Sequence, residues 1–235
     1  MSTKKELFKY ILSRLTLLPI MLWIISSLVF ILLRIAPGDP VDAILGTRAN
    51  EFARESLRIK LGLDKPLINQ YIEYLNQLIH GNLGISLNTQ EPVKVIISKA
   101  LPASLELAIF SILIASLVGY LIGFLGAVKP ESKIDFSGRI FGIGTYALPP
   151  FWAAMLIQII FAVFLGWLPI GGRLPPGAIP PPPTTGFLLL DSILDKNVEI
   201  IFSSIQHLIL PSVTLGILLS GIFSRALSLN LEEVL

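Results

Sequence analysis

Glu106 is the one carboxylate set well inside a long apolar stretch, in the segment LPASLELAIF. A charge in hydrocarbon costs about 3 kcal/mol or more, so a group placed there is either paired across helices, snorkels to the interface, or serves a solute path. Gln206 and His207 stand near the start of another apolar stretch, where a polar helix–helix pair explains them as well as a path does. Pro149, Pro150 and Pro211 interrupt apolar runs. Each withholds a backbone N–H, which frees a carbonyl for a neighbouring helix or cavity water and bends the chain. Gly119 and Gly123 form GxxxG, extended by Gly126, a pattern that lets helix backbones approach closely within one chain or between two. These positions are the candidates for a translocation path or for helix packing.

Catalytic chemistry finds less material. The 235 residues hold no Cys and only 2 His, which removes thiolates and disulfides and makes a zinc site improbable. The motifs GxxxxGK[ST], HExxH and GxSxG are absent, and no nucleophile–base pair can be assembled from the intramembrane side chains. No catalytic, cofactor-binding or metal residue is therefore assigned. A process driven by ATP would need its nucleotide site on another chain. The 18 basic and 16 acidic residues are spread along the sequence, so no basic face for nucleic acid emerges.

The elements that must position these residues are membrane spans. The composition is 53% apolar and 14% charged with a mean hydropathy of +0.76, against about 25% charged residues in soluble domains. A helix needs about 20 mostly apolar residues to cross hydrocarbon, and about four stretches meet that length: 15–33, 101–128, 140–168 and 200–223. The first is too long for a signal-peptide core and lacks a small-residue cleavage site, so it reads as a retained span. Lys4, Lys5, Lys9 and Arg14 before it, and Lys129, Lys133 and Arg139 in the short loop after the second, predict that both flanks are cytoplasmic. The stretch between spans one and two, and the loop from Pro169 to Glu199, then lie outside. In the first, Asp64 as N-cap and Pro66 in the first turn predict an amphipathic helix carrying Leu67, Ile68, Tyr71, Ile72, Leu75, Leu78 and Ile79. In the second, LPIGGRLPPGAIPPPP predicts a stiff surface loop.

Several blocks in order give the chain a resemblance to the inner-membrane permeases of dipeptide, oligopeptide and nickel ABC importers: FILLRIAPGDPVDAILG (30–46), LRIKLGLDKPLINQYIEYLNQLIHGNLGISL (57–87), PVKVIISKALPASLEL (92–107), ALPPFWAAMLIQIIFAVFLGWLPIGGR (147–173) and HLILPSVTLG (207–216). The resemblance implies an all-α membrane protein holding about four spans of a normally six-helix permease fold, with an extracytoplasmic helical insertion. Its parts would be 1–35, the cytoplasmic N-terminus and span one; 36–99, the extracytoplasmic segment; and 100–235, the permease core. It further implies residence in the cytoplasmic membrane with a cytoplasmic N-terminus. Its implied partners are a second homologous permease, two cytoplasmic ATPase subunits and an extracytoplasmic solute-binding protein.

The chain departs from that pattern at SRALSLNLEEVL (224–235), which resembles the run-in to the family's cytoplasmic coupling loop. The coupling helix and about two spans of the family pattern do not follow it. A truncated or vestigial permease acting as a membrane scaffold is accordingly the main alternative. An ion-coupled secondary transporter using Glu106 is a weaker one, since no internal repeat relates the span pairs. The residues do not choose the solute.

Overall fold

The structure, a computed structural model, describes residues 2–35, 38–46, 49–86 and 88–232. Ala36, Pro37 and Leu87 of the family-like blocks, and residues 233–235 of the last stretch, lie outside the described residues. The chain forms two compact units, Met1–Ile97 and Ser98–Leu235. Among the described residues no strand forms beyond an isolated bridge between Ile85 and Pro92.

In the first unit α1 runs over Ser2–Ile35, followed by α2 (Pro40–Leu45), α3 (Glu51–Lys60) and α4 (Leu67–Ile79). The apolar side chains of α1 are exposed almost throughout, the surface a hydrocarbon layer would cover. Near its end Phe30 packs on Tyr71 and Tyr74 of α4, with ring centroids 5.2 and 5.5 Å apart, and the Ser27 and Tyr71 hydroxyls meet at 2.5 Å. Asp39 caps α2 by accepting from the Val41 N–H, and its carboxylate also pairs with Arg58 of α3. Asp42 and Arg54 form a second pair at 2.9 Å.

The start of α4 differs from expectation. Pro66 is its N-cap rather than part of its first turn, and no side chain caps it. The Pro66 carbonyl accepts the N–H groups of Asn69 and Gln70, and the buried Gln70 amide ties the preceding segment to the helix by donating to the Lys65 carbonyl at 2.7 Å and to that of Leu63 at 3.3 Å. Asp64 is thus not the N-cap of α4.

The second unit holds most of α5 (Val93–Val128), then α6 (Lys133–Ala147), α7 (Pro150–Gln158) with its π-helical extension Ile159–Phe164, α8 (Leu188–Leu194) and α9 (Val198–Glu232). The third apolar stretch is not one straight span. Leu148 and Pro149 are extended, with ψ of 126° and 127°, because each precedes a proline. The segments on either side consequently meet at 100°. Pro211, by contrast, lies within a continuous α9. The helices long and apolar enough to cross a membrane are Glu6–Ile35, Val93–Val128 and Val198–Leu231, with the bent pair as a fourth span if it is counted as one.

Helix α9 is the hub of this unit, in contact with α6, α7 and α8. Its buried face is built mainly from small residues, among them Ser204, Ser212, Gly216, Ser220 and Ser224. Where water cannot compete, burying larger side chains gains little between helices, and close backbone approach supplies dispersion contacts instead. A Cβ on Gly119 would lie 2.5 Å from that of Phe223, and one on Gly123 2.7 Å from the Ser224 carbonyl oxygen. The Ser228 hydroxyl crosses to the Gly123 carbonyl at 3.2 Å. On the other side of α9, Gly221 sits against Thr145 and Gly142 of α6.

Candidate functional site

Helix α5 carries Glu106 into the second unit with only 6% of its surface exposed. Its two oxygens serve different partners. Oε2 accepts from Arg173 Nη2 at 2.7 Å, and Oε1 accepts from the Leu189 backbone N–H at 2.8 Å. Leu189 lies in the first turn of α8, where backbone N–H groups have no partner within the helix. One intramembrane carboxylate therefore holds both the loop that carries Arg173 and the helix that follows it.

The loop is shaped to reach it. The π-helical extension ends at Phe164, Gly166 follows in the left-handed region at φ +61°, and Gln158 donates from its side chain to the Ile170 carbonyl. After the proline run, Gly186 (φ +83°) presses on Pro102 of α5, where a Cβ would sit 2.8 Å from Pro102 Cγ. Both the dihedral and the space demand glycine there. Asp191, 4% exposed, gathers the same turn: it accepts from the Thr185 N–H and hydroxyl at 2.8 and 2.7 Å and from the Gly186 N–H at 3.0 Å. Burial pushes the Asp191 carboxyl up, but the bonds from the Thr185 hydroxyl and from the Thr185, Gly186 and Thr184 backbone together outweigh it and hold the group below its ordinary value.

Beside the clasp lies a cavity of about 280 Å³. Glu106, Arg173 and Ser204 line it with His207, between apolar walls that include Leu107, Leu188, Leu208 and Pro211. His207 Nδ1 lies 2.8 Å from the Ser203 carbonyl oxygen, and Pro211 cannot donate to the His207 carbonyl one turn back. The cavity thus brings together Glu106 and His207, from separate apolar stretches. Gln206 is half-buried on α9 but does not line it. Pro149 and Pro150 form the break between α6 and α7, and Gly119 and Gly123 face α9 further along α5. Arg173 stands in the stretch that the sequence predicts only as a stiff surface loop; the signal available was that a buried carboxylate needs a cation, and Arg173 is the basic residue of the loop's first half.

Residues 7–108 match the family described as binding-protein-dependent transport system membrane component, N-terminal. The chain is 39% identical over 211 residues to the probable D,D-dipeptide transport system permease protein DdpB of Escherichia coli K12, covering 89% of this chain and 62% of that protein. It is 36% identical over 231 residues to the di/tripeptide transport system permease protein DppB of Pseudomonas aeruginosa, covering 97% and 68%. The chain belongs to the permease family of binding-protein-dependent peptide transport systems. The dipeptide transport system permease protein DppB of Escherichia coli K12 is a further relative, 32% identical over 90% of this chain and 63% of its own length. This permease chain thus spans about two thirds of the length of such relatives, and it is an all-α, multi-pass membrane protein.

Proposed function

We propose that this permease supplies one half of a membrane pore through which an ATP-driven importer takes up short peptides. The observation that carries the proposal is the 36% identity to a di/tripeptide permease across 97% of the chain. Hydrolysis of ATP falls to separate cytoplasmic subunits, in keeping with a sequence that lacks a GxxxxGK[ST] loop. A second homologous permease completes the pore, and a solute-binding protein delivers peptide from outside. The membrane is the cytoplasmic one, with the N-terminus inside, as the clustering of Lys4, Lys5, Lys9, Lys129, Lys133 and Arg139 supports. Residues 36–99 form the extracytoplasmic segment ahead of a permease core from residue 100.

Within that machine the Glu106 clasp serves the outer side of the pore. It fixes the loop over the ends of α5 and α9, so that this rim moves with α5 when the pore alternates. Gly119 and Gly123 act in helix packing, and Pro149 and Pro150 set the angle between α6 and α7. The test is to tag the native gene near its start, purify in mild detergent, and identify companions by mass spectrometry while measuring dipeptide uptake in cells. A second permease and ATPases should co-purify, and uptake should fail on ATP depletion yet survive collapse of the proton gradient. Uptake that follows the ion gradient, or a chain without ATPase companions, would overturn the proposal.

A further inference from the structure

We infer that the cavity beside Glu106 binds the carboxylate end of a one- or two-residue peptide, an inference that rests on the peptide-import function proposed above. A guanidinium presents five N–H donors in a planar fork. Arg173 places Nη2 on Glu106 and keeps 42% of its side chain exposed, while lining the cavity. Donors therefore remain for a second anion, and a planar carboxylate fits the fork. Glu106 balances the standing charge of Arg173, and the Leu189 N–H supports Glu106 from its other oxygen. Arg173 can consequently bridge two carboxylates without leaving the buried one bare.

His207 supplies the second point of recognition. A carbonyl oxygen only accepts, so its contact with Nδ1 assigns a ring proton to Nδ1, and in the neutral ring Nε2 is then an acceptor. A peptide whose carboxylate sits on Arg173 can offer its last amide N–H to that nitrogen. Leu107, Leu188 and Leu208 give apolar walls for a side chain. The volume of about 280 Å³ lies at the small end of ligand pockets, which limits the occupant to one or two residues.

The experiment uses the natural full-length permease in its membrane complex, in nanodiscs without the binding protein, with saturation-transfer NMR on Ala-Ala, N-acetyl-Ala-Ala and Ala-Ala amide. Both free acids should bind, and the amide should bind about tenfold more weakly, the value of one charge-assisted hydrogen bond. His207→Leu should weaken the acids and His207→Gln, which restores an acceptor, should recover them. Arg173→Lys keeps the charge beside Glu106 but loses the fork, and should narrow the difference between acid and amide. Equal binding of acid and amide, or no binding by a complex that still imports Ala-Ala with ATP and binding protein, would overturn the inference and leave the import function standing. Acid-selective binding in a complex that imports nothing would instead overturn the import function and keep the site.

Discussion

Replacing Glu106 by Ala strips the loop and the start of α8 of their shared acceptor, and the consequence can be sized from the geometry. The Leu189 N–H loses its bond of 2.8 Å at a half-buried position, a cost of about 1–3 kcal/mol for an unsatisfied donor. The pair with Arg173 adds about 1 kcal/mol, because a side chain 42% exposed is screened by solvent and can turn outward. Together these weaken the clasp by about 2–4 kcal/mol, or roughly 30- to 900-fold in the local opening equilibrium. Hydrogen exchange followed by mass spectrometry, on the full-length protein in nanodiscs, should show that acceleration at Leu189 and around Arg173. The Thr185 and Gly186 amides, held by Asp191, should exchange as before. Glu106→Gln keeps an oxygen for Leu189 and loses only the charge, so its loop should open about fivefold more often, near 1 kcal/mol. Unchanged exchange at Leu189 in Glu106→Ala, or a Gln variant as impaired as the Ala one, would refute the clasp.

The contact of α5 with α9 makes Gly119→Ala costly: its Cβ would stand 2.5 Å from that of Phe223 and 2.8 Å from the Ser220 carbonyl oxygen, so a loss of about 1–3 kcal/mol is expected from thermal unfolding in mild detergent. Gly144→Ala, with nothing within 4 Å of the added carbon, should be neutral or stabilise by up to about 1 kcal/mol in the same assay. For Asp191 the folded carboxyl titrates below the ordinary 3.8, so opening the turn takes up a proton. Its contribution is complete above that value and is lost as pH falls through the folded value; protection of the Thr185 and Gly186 amides should be level from neutral pH down to the ordinary value and decline below it. Because the chain has no Cys, sidedness can be read with single cysteines. Ile179→Cys should react with an impermeant maleimide on intact cells, and Lys129→Cys only after permeabilisation.

Much of the architecture was legible because the bilayer allows few solutions. Four apolar stretches of spanning length had to become helices, since a backbone in hydrocarbon must satisfy its own polar groups. The amphipathic period from Leu67 to Ile79 forecast α4 in the same way, though not its first turn: Pro66 rather than Asp64 stands at the cap, its carbonyl accepts the Asn69 and Gln70 N–H groups, and the Gln70 amide ties the preceding segment to the helix. The adjacent prolines at 149 and 150 foretold a break but not an angle of 100°, which depends on how α6 and α7 both rest on α9.

By itself the amino-acid sequence determined that the chain is helical and spans a membrane, and it marked Glu106 as a carboxylate in need of a partner. Tertiary structure decided which partner. Arg173 lies 67 positions away and Leu189 83 positions away, separations at which no periodicity or local propensity carries information. Only the packing of small residues between α5 and α9, with Gly186 folded against Pro102, brings the loop that carries Arg173 near enough for one carboxylate to hold both. His207 entered the same cavity by the same route: its residue type was visible in the sequence, and its neighbours were set by the helix pair.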